Sequence, residues 1–410
     1  MLTLLPYQKR ALSAVHNSTK GCVYIPTGGG KTVVMLEHAR QRITNALEPM
    51  TFIVVAPRIL LANQLCSEFE SYLQGLNVAY MHVHSGETHH PSSTKPEAIQ
   101  DYADTVIGCN KHFIIFTTYN SIGRVNEADI NIDVVYFDEA HHCTKPSNFV
   151  GIAHTSAVAD NAYFFTATPK FNNSKESMNN TDVYGEKIIS IPAKELIAAG
   201  SIIPPKVVPY EAQTIRTKEN APLVDSENII GILNDIDDSI TPKILVAAPS
   251  SKVIWAMFSE SNLIQELNQM GYTIMHITSK YGAYINKKKV SREVFFEKMN
   301  EFGADPDHKF IVFHYSILSE GMNVHGLTHC IMLRNLPLIE MAQTIGRVIR
   351  MNKDDRKAIQ DGTIKPGEFA LYKKPFGTIT VPVNNNYGDK IAKQLQNVVD
   401  AIFEKGELIV

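Results

Sequence analysis

The stretch GCVYIPTGGGKT, residues 21–32, combines a short apolar run, a proline and three successive glycines. The apolar run from Cys22 to Ile25 predicts a buried strand, and the spacing of apolar residues after Thr32 predicts a helix. A strand, a glycine turn and a helix start bring backbone N–H groups and the positive end of the helix dipole to one point. The stretch is therefore typical of a loop that holds a phosphate.

Two polar residues close this loop. Lys31 is placed to reach the β- and γ-phosphates of a nucleotide, and the Thr32 hydroxyl is placed to ligate Mg²⁺. The backbone of the loop comes from Thr27, Gly28, Gly29 and Gly30. Ile25 stands where the strict pattern G-x-x-x-x-G-K-[ST] has its first glycine. A glycine turn that precedes a helix by chance, with an unrelated lysine, is the alternative interpretation of the loop taken alone.

The bulk composition describes an ordinary globular chain. Its 410 residues are 44% hydrophobic and 20% charged, which predicts about two or three domains with sizeable cores. The formal net charge of −3 excludes a strongly basic body, so any nucleic-acid binding must come from a local groove.

The cysteines and the N-terminus indicate the compartment. The five cysteines are scattered without a C-x-x-C pair, which argues against a zinc site and for a reducing compartment. We find no signal segment and no apolar run that approaches membrane-spanning length. These features predict a cytoplasmic protein with no membrane association, or one of the host cytoplasm if its origin is viral.

Apolar runs alternate with helical stretches along the first half of the chain. The strongest predicted strands after the loop are 51–56, 78–83, 112–117, 133–137 and 162–165, and helical spacing predicts helices over 59–72 and, further along, over 251–270. Such alternation predicts a parallel sheet wound on both faces, with ligands at the carboxyl ends of the strands. The alternation restarts near Lys243 without a second glycine loop.

We therefore predict an α/β chain of two doubly wound parallel-sheet domains in tandem, with the nucleotide cleft between them. The predicted boundaries are 1–190 for the first domain, 191–240 for a linker region, 241–370 for the second domain and 371–410 for a helical tail.

Two acidic residues and two arginines supply the remaining parts of a phosphoryl-transfer site. Asp138 follows an apolar strand, where a carboxylate can hold Mg²⁺, and Glu139 beside it is placed to activate an attacking water. Arg347 and Arg350 are three apart on a predicted helix, so they share one face and require an anionic partner. Solvated acids and a solvated basic face are the alternatives.

Nine sequence elements occur in a fixed order, namely Gln8, PTGGGKT (26–32), VAPR (55–58), FTTY (116–119), DEAHH (138–142), TAT (166–168), AAPSSK (247–252), SEGMN (319–323) and QTIGRVIR (343–350). The set resembles superfamily 2 helicases of the DEAH/DExH type, in which a P-loop and two RecA-like domains bind ATP. The spacing is most similar to phage UvsW-type DNA helicases and to the motor cores of type I and III restriction subunits.

The resemblance implies a role for each matching residue. Gln8 would read adenine, and Gly321 would line the nucleotide site. The catalytic set would be Lys31, Asp138, Glu139, His141, Gln343, Arg347 and Arg350, with Thr32 and Asp138 on Mg²⁺. His141 and the TAT run would couple hydrolysis to domain movement, and Arg350 would be the arginine finger. The nucleic-acid backbone would be met by Arg58, Thr117, Thr118, Ser250, Ser251, Ser319 and Glu320. Asn323 replaces the aspartate of many relatives, so the role of that carboxylate is not carried over.

Three further features admit an ordinary interpretation. The histidines at 82, 84, 89 and 90 have no companion cysteine or carboxylate pattern, which argues against a metal site. The run Lys287–Lys289 after Tyr281 and Tyr284 is a candidate nucleic-acid contact, although a solvated loop is the preferred interpretation. Trp255 is expected to pack within the second domain rather than to stack on a base.

The sequence thus predicts an ATP-dependent DNA helicase or translocase that uses ATP and Mg²⁺. It would contact nucleic acid through the backbone, with DNA favoured over RNA, and it would unwind or remodel branched or forked DNA in recombination, replication or repair. The alternatives are a motor subunit of a restriction or defence complex with protein partners, an RNA helicase, and a non-unwinding ATP-gated clamp.

Overall fold

The computed structural model describes residues 3–86, 88–237, 239–278, 280–315, 326–383 and 386–405. The chain divides after Pro192 into two compact units, and each has its own sheet. The predicted fold class, two α/β domains built on parallel sheets, is confirmed. Within the described residues, none of the helices has the length and apolar character needed to span a membrane.

The first unit is a sheet of seven parallel strands. The strands are β1 (Lys20–Tyr24), β2 (Thr51–Ala56), β3 (Val78–Val83), β4 (His112–Thr118), β5 (Val134–Asp138), β6 (Asn161–Thr166) and β7 (Glu186–Ser190). Their order is β3-β4-β2-β5-β6-β1-β7, and every described pair is parallel. Because helices cover both faces of such a sheet, its inner strands are apolar along their whole length. β2, β4, β5 and β6 are accordingly almost completely buried.

The helices of the first unit follow the predicted alternation. They are α1 (Pro6–His16), α2 (Lys31–Asn45), α3 (Ile59–Tyr72), α4 (Pro96–Gly108), α5 (Ile122–Asn126), α6 (Pro146–Val158) and α7 (Thr181–Tyr184), with a 3₁₀ turn at Ala140–Thr144. The predicted bounds of β2, β3 and α3 agree with the structure to the residue.

The second unit is a sheet of eight strands. These are β8 (Pro205–Glu211), β9 (Lys243–Ala247), β10 (Thr273–Thr278), β11 (Gly282–Ile285), β12 (Lys288–Val290), β13 (Phe310–His314), β14 (His329–Met332) and β15 (Gly377–Val383). Their order is β12-β11-β10-β13-β9-β14-β15-β8, parallel except where β10, β11 and β12 pair antiparallel at one edge. The helices are α8 (Ala193–Ala198), α9 (Ala221–Asn234), α10 (Ser251–Glu260), α11 (Leu263–Gln269), α12 (Arg292–Ala304), α13 (Leu338–Val348), α14 (Lys353–Gln360) and α15 (Asn386–Val399), which continues into a π-helical turn at Asp400–Lys405.

The second unit contains more of the chain than the sequence suggests. Residues 191–240, interpreted as a linker, contain β8 and α9, and α9 contributes Ile229 and Ile232 to the core. Residues 371–410, interpreted as a tail, contain β15, which lies between β14 and β8. Both strands contain prolines, so the sequence pattern does not predict them as strands. Pro209 is tolerated because β8 is an edge strand. Pro382 lies beyond the part of β15 that pairs with β14.

Two local predictions in this unit were wrong. The helix expected over 251–270 ends at Glu260 and restarts at Leu263, because the Ser261 hydroxyl accepts from the Leu263 N–H and begins a new helix. The lysine run is exposed, as expected, but it lies in the β11–β12 hairpin rather than in a loop; the turn residues Asn286 and Lys287 have φ of 44° and 69°. Both residues are in the left-handed region that a tight hairpin turn requires.

Candidate active site

The glycine loop lies between β1 and α2, at the carboxyl edge of the first sheet. Gly28 and Gly30 have φ of 86° and 81°, a conformation that side chains with a Cβ rarely adopt. A Cβ at Gly30 would also lie 2.5 Å from Nε2 of Gln8. Glycine is therefore required at this position for two independent reasons.

Helix α1 is tied to this loop by two side chains. The Tyr7 hydroxyl donates to the Gly29 carbonyl at 3.0 Å, and Nε2 of Gln8 donates to the same oxygen at 3.2 Å. The other end of the Gln8 amide accepts from the Leu5 N–H at 2.9 Å. The predicted adenine-reading residue thus lies against the loop. Tyr7 is a loop contact that the motif analysis missed, since nothing in its sequence neighbourhood marks it.

The loop lysine and the two acids of the predicted set meet at one point. Nζ of Lys31 lies 3.2 Å from Oε1 of Glu139, and both side chains are about nine-tenths buried. Asp138, the last residue of β5, is 5% exposed, and its carbonyl accepts from the Tyr119 hydroxyl at 2.6 Å. Glu139 has φ of 49°, so the chain turns sharply directly after the strand. The structure therefore brings together residues that the sequence separates widely.

The electrostatics of the two acids differ. Burial, reinforced by the negative charge of Glu139, raises the pKa of Asp138 to about 7. Burial also opposes ionisation of Glu139, but the nearby charges of Lys31 and His141 outweigh it and lower the pKa of Glu139. Glu139 is thus the anion that Lys31 neutralises. Among the described contacts, Asp138 forms no ion pair with a cationic side chain, as expected of a carboxylate that would bind a metal ion.

The predicted coupling residues join the same cluster. Nδ1 of His141 lies 3.1 Å from the Thr166 hydroxyl and 3.6 Å from Oε2 of Glu139. The Thr166 hydroxyl also accepts from the Thr168 N–H at 3.1 Å. A contiguous path of polar groups therefore connects the acid pair to the end of β6.

The donor set fits a nucleotide with Mg²⁺. Protein-bound Mg²⁺ typically takes one or two carboxylates together with phosphate oxygens. Thr32 in the first turn of α2 and Asp138 at the end of β5 supply such oxygens. Oε2 of Glu139 is buried and has no hydrogen-bond partner among the described residues, which suits a group that orients a water. No set of three or more His, Cys, Asp or Glu in the described part of the chain forms a separate metal cluster.

The second unit carries the arginine motif on α13. Gln343 and Arg347 are buried, at 4% exposure each. Arg350 is partly exposed just beyond the helix, where it forms a β-bridge with Ile202. Arg334, which the motif analysis did not single out, is also buried; its guanidinium lies 4.5 Å from the centre of the Tyr315 ring. The predicted residues Ser319, Glu320 and Gly321 lie outside the described residues.

A buried lysine holds the end of this helix in place. Nζ of Lys374 donates to the carbonyls of Leu327, Val348 and Arg350 at 2.6, 2.6 and 2.8 Å. Burial lowers the pKa of Lys374 to about 7. Three carbonyl acceptors match the three N–H groups of an ammonium.

We expect Lys374→Met to destabilise the protein by about 3 kcal/mol, because it leaves three buried carbonyls without a donor. The neighbouring Lys373→Met is the matched control, since the Lys373 side chain is exposed and its Nζ pairs with exposed Asp354 at 2.6 Å. Denaturant unfolding of both variants measures the difference. Equal midpoints for the two variants would show that the three-carbonyl contact contributes little.

The predicted nucleic-acid residues lie at strand ends, with different degrees of access. Arg58 is the N-cap of α3 and is partly exposed, and Ser250 caps α10 by accepting from the Val253 N–H at 3.1 Å. Ser251 begins α10. Thr117 is fully buried and donates to the Val83 carbonyl at 2.8 Å, and Thr118, at 5% exposure, bonds to Ser121 at 3.2 Å. In this structure the two threonines are therefore occupied within the protein.

The histidine cluster makes internal contacts. Nδ1 of His82 lies 3.0 Å from Nε2 of His84, and that same Nε2 lies 3.0 Å from Oδ1 of Asn63. The Gly86 N–H donates to Nδ1 of His84 at 3.2 Å, so Nε2 of His84 carries the proton. These contacts connect the end of β3 to α3.

The fold and the geometry define a class of protein: two parallel-sheet α/β domains, the first with a glycine loop whose lysine contacts an acidic pair. Residues 1–171 match the model of the ResIII family, the Type III restriction enzyme, res subunit. A comparison with curated protein sequences gave no match.

Three solved structures are similar to this chain. One is the ATP-dependent Type ISP restriction-modification enzyme LlaBIII bound to DNA, with 17% identity, a TM-score of 0.72, and coverage of 98% of this chain and 30% of that chain. Another is a nuclease-deletion mutant of the Type ISP enzyme LlaGI in complex with a DNA substrate mimic, with 19% identity, a TM-score of 0.65, and coverage of 98% and 29%. The third is an S. cerevisiae Dbp5 variant bound to RNA and ADP BeF3, with 14% identity, a TM-score of 0.55, and coverage of 96% and 93%.

At these identities the structural matches show a shared fold, here that of RecA-like helicase cores. The chain spans about 30% of the length of the two restriction enzymes. The family match covers residues 1–171, and the whole chain shares its fold with these structures; membership of the superfamily 2 helicases stays a prediction for the whole chain. The DEAH subtype and the likeness to phage helicases stay predictions.

Proposed function

We propose that this protein is an ATP-dependent DNA helicase or translocase, which couples ATP hydrolysis to the unwinding or remodelling of DNA. The observation that carries the proposal is the meeting of Lys31 with Glu139, 3.2 Å apart, next to buried Asp138 at the carboxyl edge of a parallel sheet. A phosphate cradle, a carboxylate for the metal and a base for water are the parts that phosphoryl transfer to water requires.

The Lys31–Glu139 pair has a mechanistic consequence. Lys31 cannot hold both Glu139 and the β/γ-phosphates at full strength, so it would turn from the acid to the nucleotide on binding. Glu139 would then be free to accept a proton from the attacking water. Thr32 and Asp138 would hold Mg²⁺, which neutralises charge that develops on the phosphates.

The same logic extends to the residues around the loop. Gln8 would recognise adenine with the amide that now lies against Gly29. His141 would transmit a change at Glu139 to Thr166 through the contacts described above. Movement of the two domains during the cycle would convert hydrolysis into progress along a strand.

We propose that Arg347 and Arg350 contact the γ-phosphate, with Arg350 as the arginine finger. We expect Arg350→Ala to lower kcat about 10³-fold while the KM for ATP changes only a few-fold, because the guanidinium acts on charge that develops in the transition state. Steady-state ATPase kinetics measure both constants. Arg356→Ala, an exposed arginine on α14, is the control. A variant that loses ATP affinity but keeps kcat would reassign Arg350 to ground-state binding.

The nucleic-acid side of the proposal concerns the strand backbone. Arg58, Ser250 and Ser251 are accessible enough to meet phosphates and sugars, which positions a strand without reading its sequence. DNA is favoured over RNA because the two matches with the higher TM-scores are described as bound to DNA or a DNA mimic. The ATPase rate measured with single-stranded DNA, forked DNA and RNA tests this. Stimulation by RNA alone would favour the RNA helicase alternative, and stimulation without strand displacement would favour the clamp.

A second candidate function is the motor part of a restriction or defence complex. The match of residues 1–171 to a restriction subunit and the fold shared with the Type ISP enzymes support it. Co-purification of the chain with a nuclease or methyltransferase would decide in its favour.

A further inference from the structure

An aromatic cavity lies in the second unit, next to the β11–β12 hairpin. Its volume is about 590 Å³, and its walls include Trp255, Phe258, His276 and Tyr284. The His276 ring stacks on the Tyr284 ring with centroids 4.6 Å apart and an interplanar angle of 13°. Trp255 meets both edge-on, at 5.7 and 6.1 Å. Aromatic rings thus form much of the cavity wall.

This ring cluster is not completely buried, unlike the aromatic rings of the core. Trp255 is 37% exposed, unlike most large aromatic side chains of the described core. His276 is only 6% exposed, yet its Nδ1 has no hydrogen-bond partner among the described residues. Buried polar atoms normally have hydrogen-bond partners, and a ligand or a water could provide the one that this nitrogen lacks.

The rim of the cavity is cationic. Lys287 is the one charged residue among the described residues that line it. Lys288 and Lys289 follow in β12, and Nζ of Lys280 lies 5.2 Å from the Tyr281 ring. The hairpin turn is held by two bonds between Asn286 and Ile274, both 2.8 Å long, so Lys287 has a defined place.

The cavity continues along α11. An adjoining cavity of about 530 Å³ shares Phe258, Ile264, Asn268 and Lys287 with the first. Its other walls add the amide side chains of Asn262, Gln265 and Gln269. Amides both donate and accept hydrogen bonds, as the edges of bases and sugars require.

We propose that these two cavities form a binding site for single-stranded nucleic acid, with a base against the rings of Trp255 and Tyr284 and the backbone phosphates on Lys287 and its neighbours. Flat aromatic walls with a cationic rim match the combination of base faces and phosphates in a single strand. The inference rests on the proposed function and extends it, because it adds a contact outside the nine sequence motifs. Trp255 packs against His276, Tyr281 and Tyr284 as expected, and the proposal adds a base at its exposed part.

Trp255 is the only tryptophan of the chain, so its fluorescence reports on this site directly. We expect oligothymidylate, titrated into the full chain without ATP, to quench Trp255 in a saturable manner. Thymidine monophosphate should bind at least about tenfold more weakly, because it offers one base and one phosphate. Equal affinity for the mononucleotide would overturn the assignment to a strand.

Three variants test the contacts. Tyr284→Ala should weaken oligothymidylate binding roughly tenfold, and Tyr284→Phe should restore it because the ring is retained. Lys287→Ala should reduce the slope of log affinity against log salt by about 0.7, the loss expected for one phosphate contact on a single strand. Lys357→Ala, an exposed lysine on α14 outside both cavities, is the matched control. The same slope in both lysine variants would overturn the proposed phosphate contact.

The ATPase assay separates this inference from the proposed function. If oligothymidylate stimulates hydrolysis but does not quench Trp255, the cavity assignment is overturned and the motor function stands. If it quenches Trp255 with the expected response of the variants but no nucleic acid stimulates hydrolysis, the cavity assignment stands and the motor function fails.

Discussion

The Glu139→Gln variant is expected to bind ATP with Mg²⁺ but to lose nucleic-acid-stimulated hydrolysis by about 10²–10⁴-fold. Glutamine keeps the shape of the side chain but cannot take a proton from water, and a positioned base contributes rate of that order. The structure supports the assignment because Oε2 of Glu139 is buried without a hydrogen-bond partner among the described residues. Nucleotide binding followed with a fluorescent ATP analogue and turnover followed by phosphate release give the two numbers.

The matched control for this variant is Glu37→Gln. Glu37 is another buried acid of the first unit, but it is bonded to Arg40 and Tyr72 and lies outside the loop. Its variant should keep hydrolysis near the wild-type rate. Normal turnover in Glu139→Gln would remove Glu139 from the role of base.

The Lys31→Met variant is expected to fail in two separable ways. It should lower ATP hydrolysis about 10²–10³-fold, because the charge that stabilises the phosphates is lost. It should also destabilise the protein at pH 8 by about 3 kcal/mol, because Glu139 and Asp138 would then be buried together without a cation.

The stability defect of Lys31→Met should depend on pH in one direction. Without Lys31, burial and mutual repulsion raise the pKa values of the acid pair in the folded state above the unfolded-state values of 3.8 and 4.5. Folded protein then binds more protons than unfolded protein above pH 4.5, so stability falls as pH rises through the raised pKa values. The defect should therefore be large at pH 8 and small near pH 5.

A double variant makes this test specific. Adding Glu139→Gln to Lys31→Met removes one of the two uncompensated charges and the repulsion between them, so the stability at pH 8 should recover in part while hydrolysis stays lost. Thermal unfolding of Lys31→Met, Glu139→Gln and the double variant is measured at the two pH values. A pH-independent defect, or one that the double variant does not relieve, would show that Lys31 acts on stability through packing rather than through charge.

Much of the first unit could be predicted because its signals are local. The bounds of β2, β3 and α3 follow from continuous apolar runs and helical spacing, and the structure has them at the same residues. The glycine loop follows from Gly28 and Gly30, whose positive φ disfavours other residues, and Gly30 also lies close to the Gln8 side chain. Lys31, Asp138 and Glu139 could also be predicted, since each stands directly after a strand or within the loop.

Contacts between residues far apart in the sequence were harder to predict. The pairing of β8 with β15 was not predicted because both strands contain prolines and the pairing joins positions near 205 and 377. The hairpin that contains Lys287 was not predicted because a lysine run without an apolar pattern has no strand signal. The contacts of Tyr7 and Lys374 were not predicted because they are made with distant backbone carbonyls.

By itself, the sequence determined the α/β class and the glycine loop between a strand and a helix, because apolar periodicity and glycine conformation act over a few neighbouring residues. Only the tertiary structure decided that Lys31 neutralises Glu139 while Asp138 keeps a raised pKa, and that Trp255 faces a cationic cavity. Those properties depend on distance and burial, and distance and burial arise only when remote segments pack together.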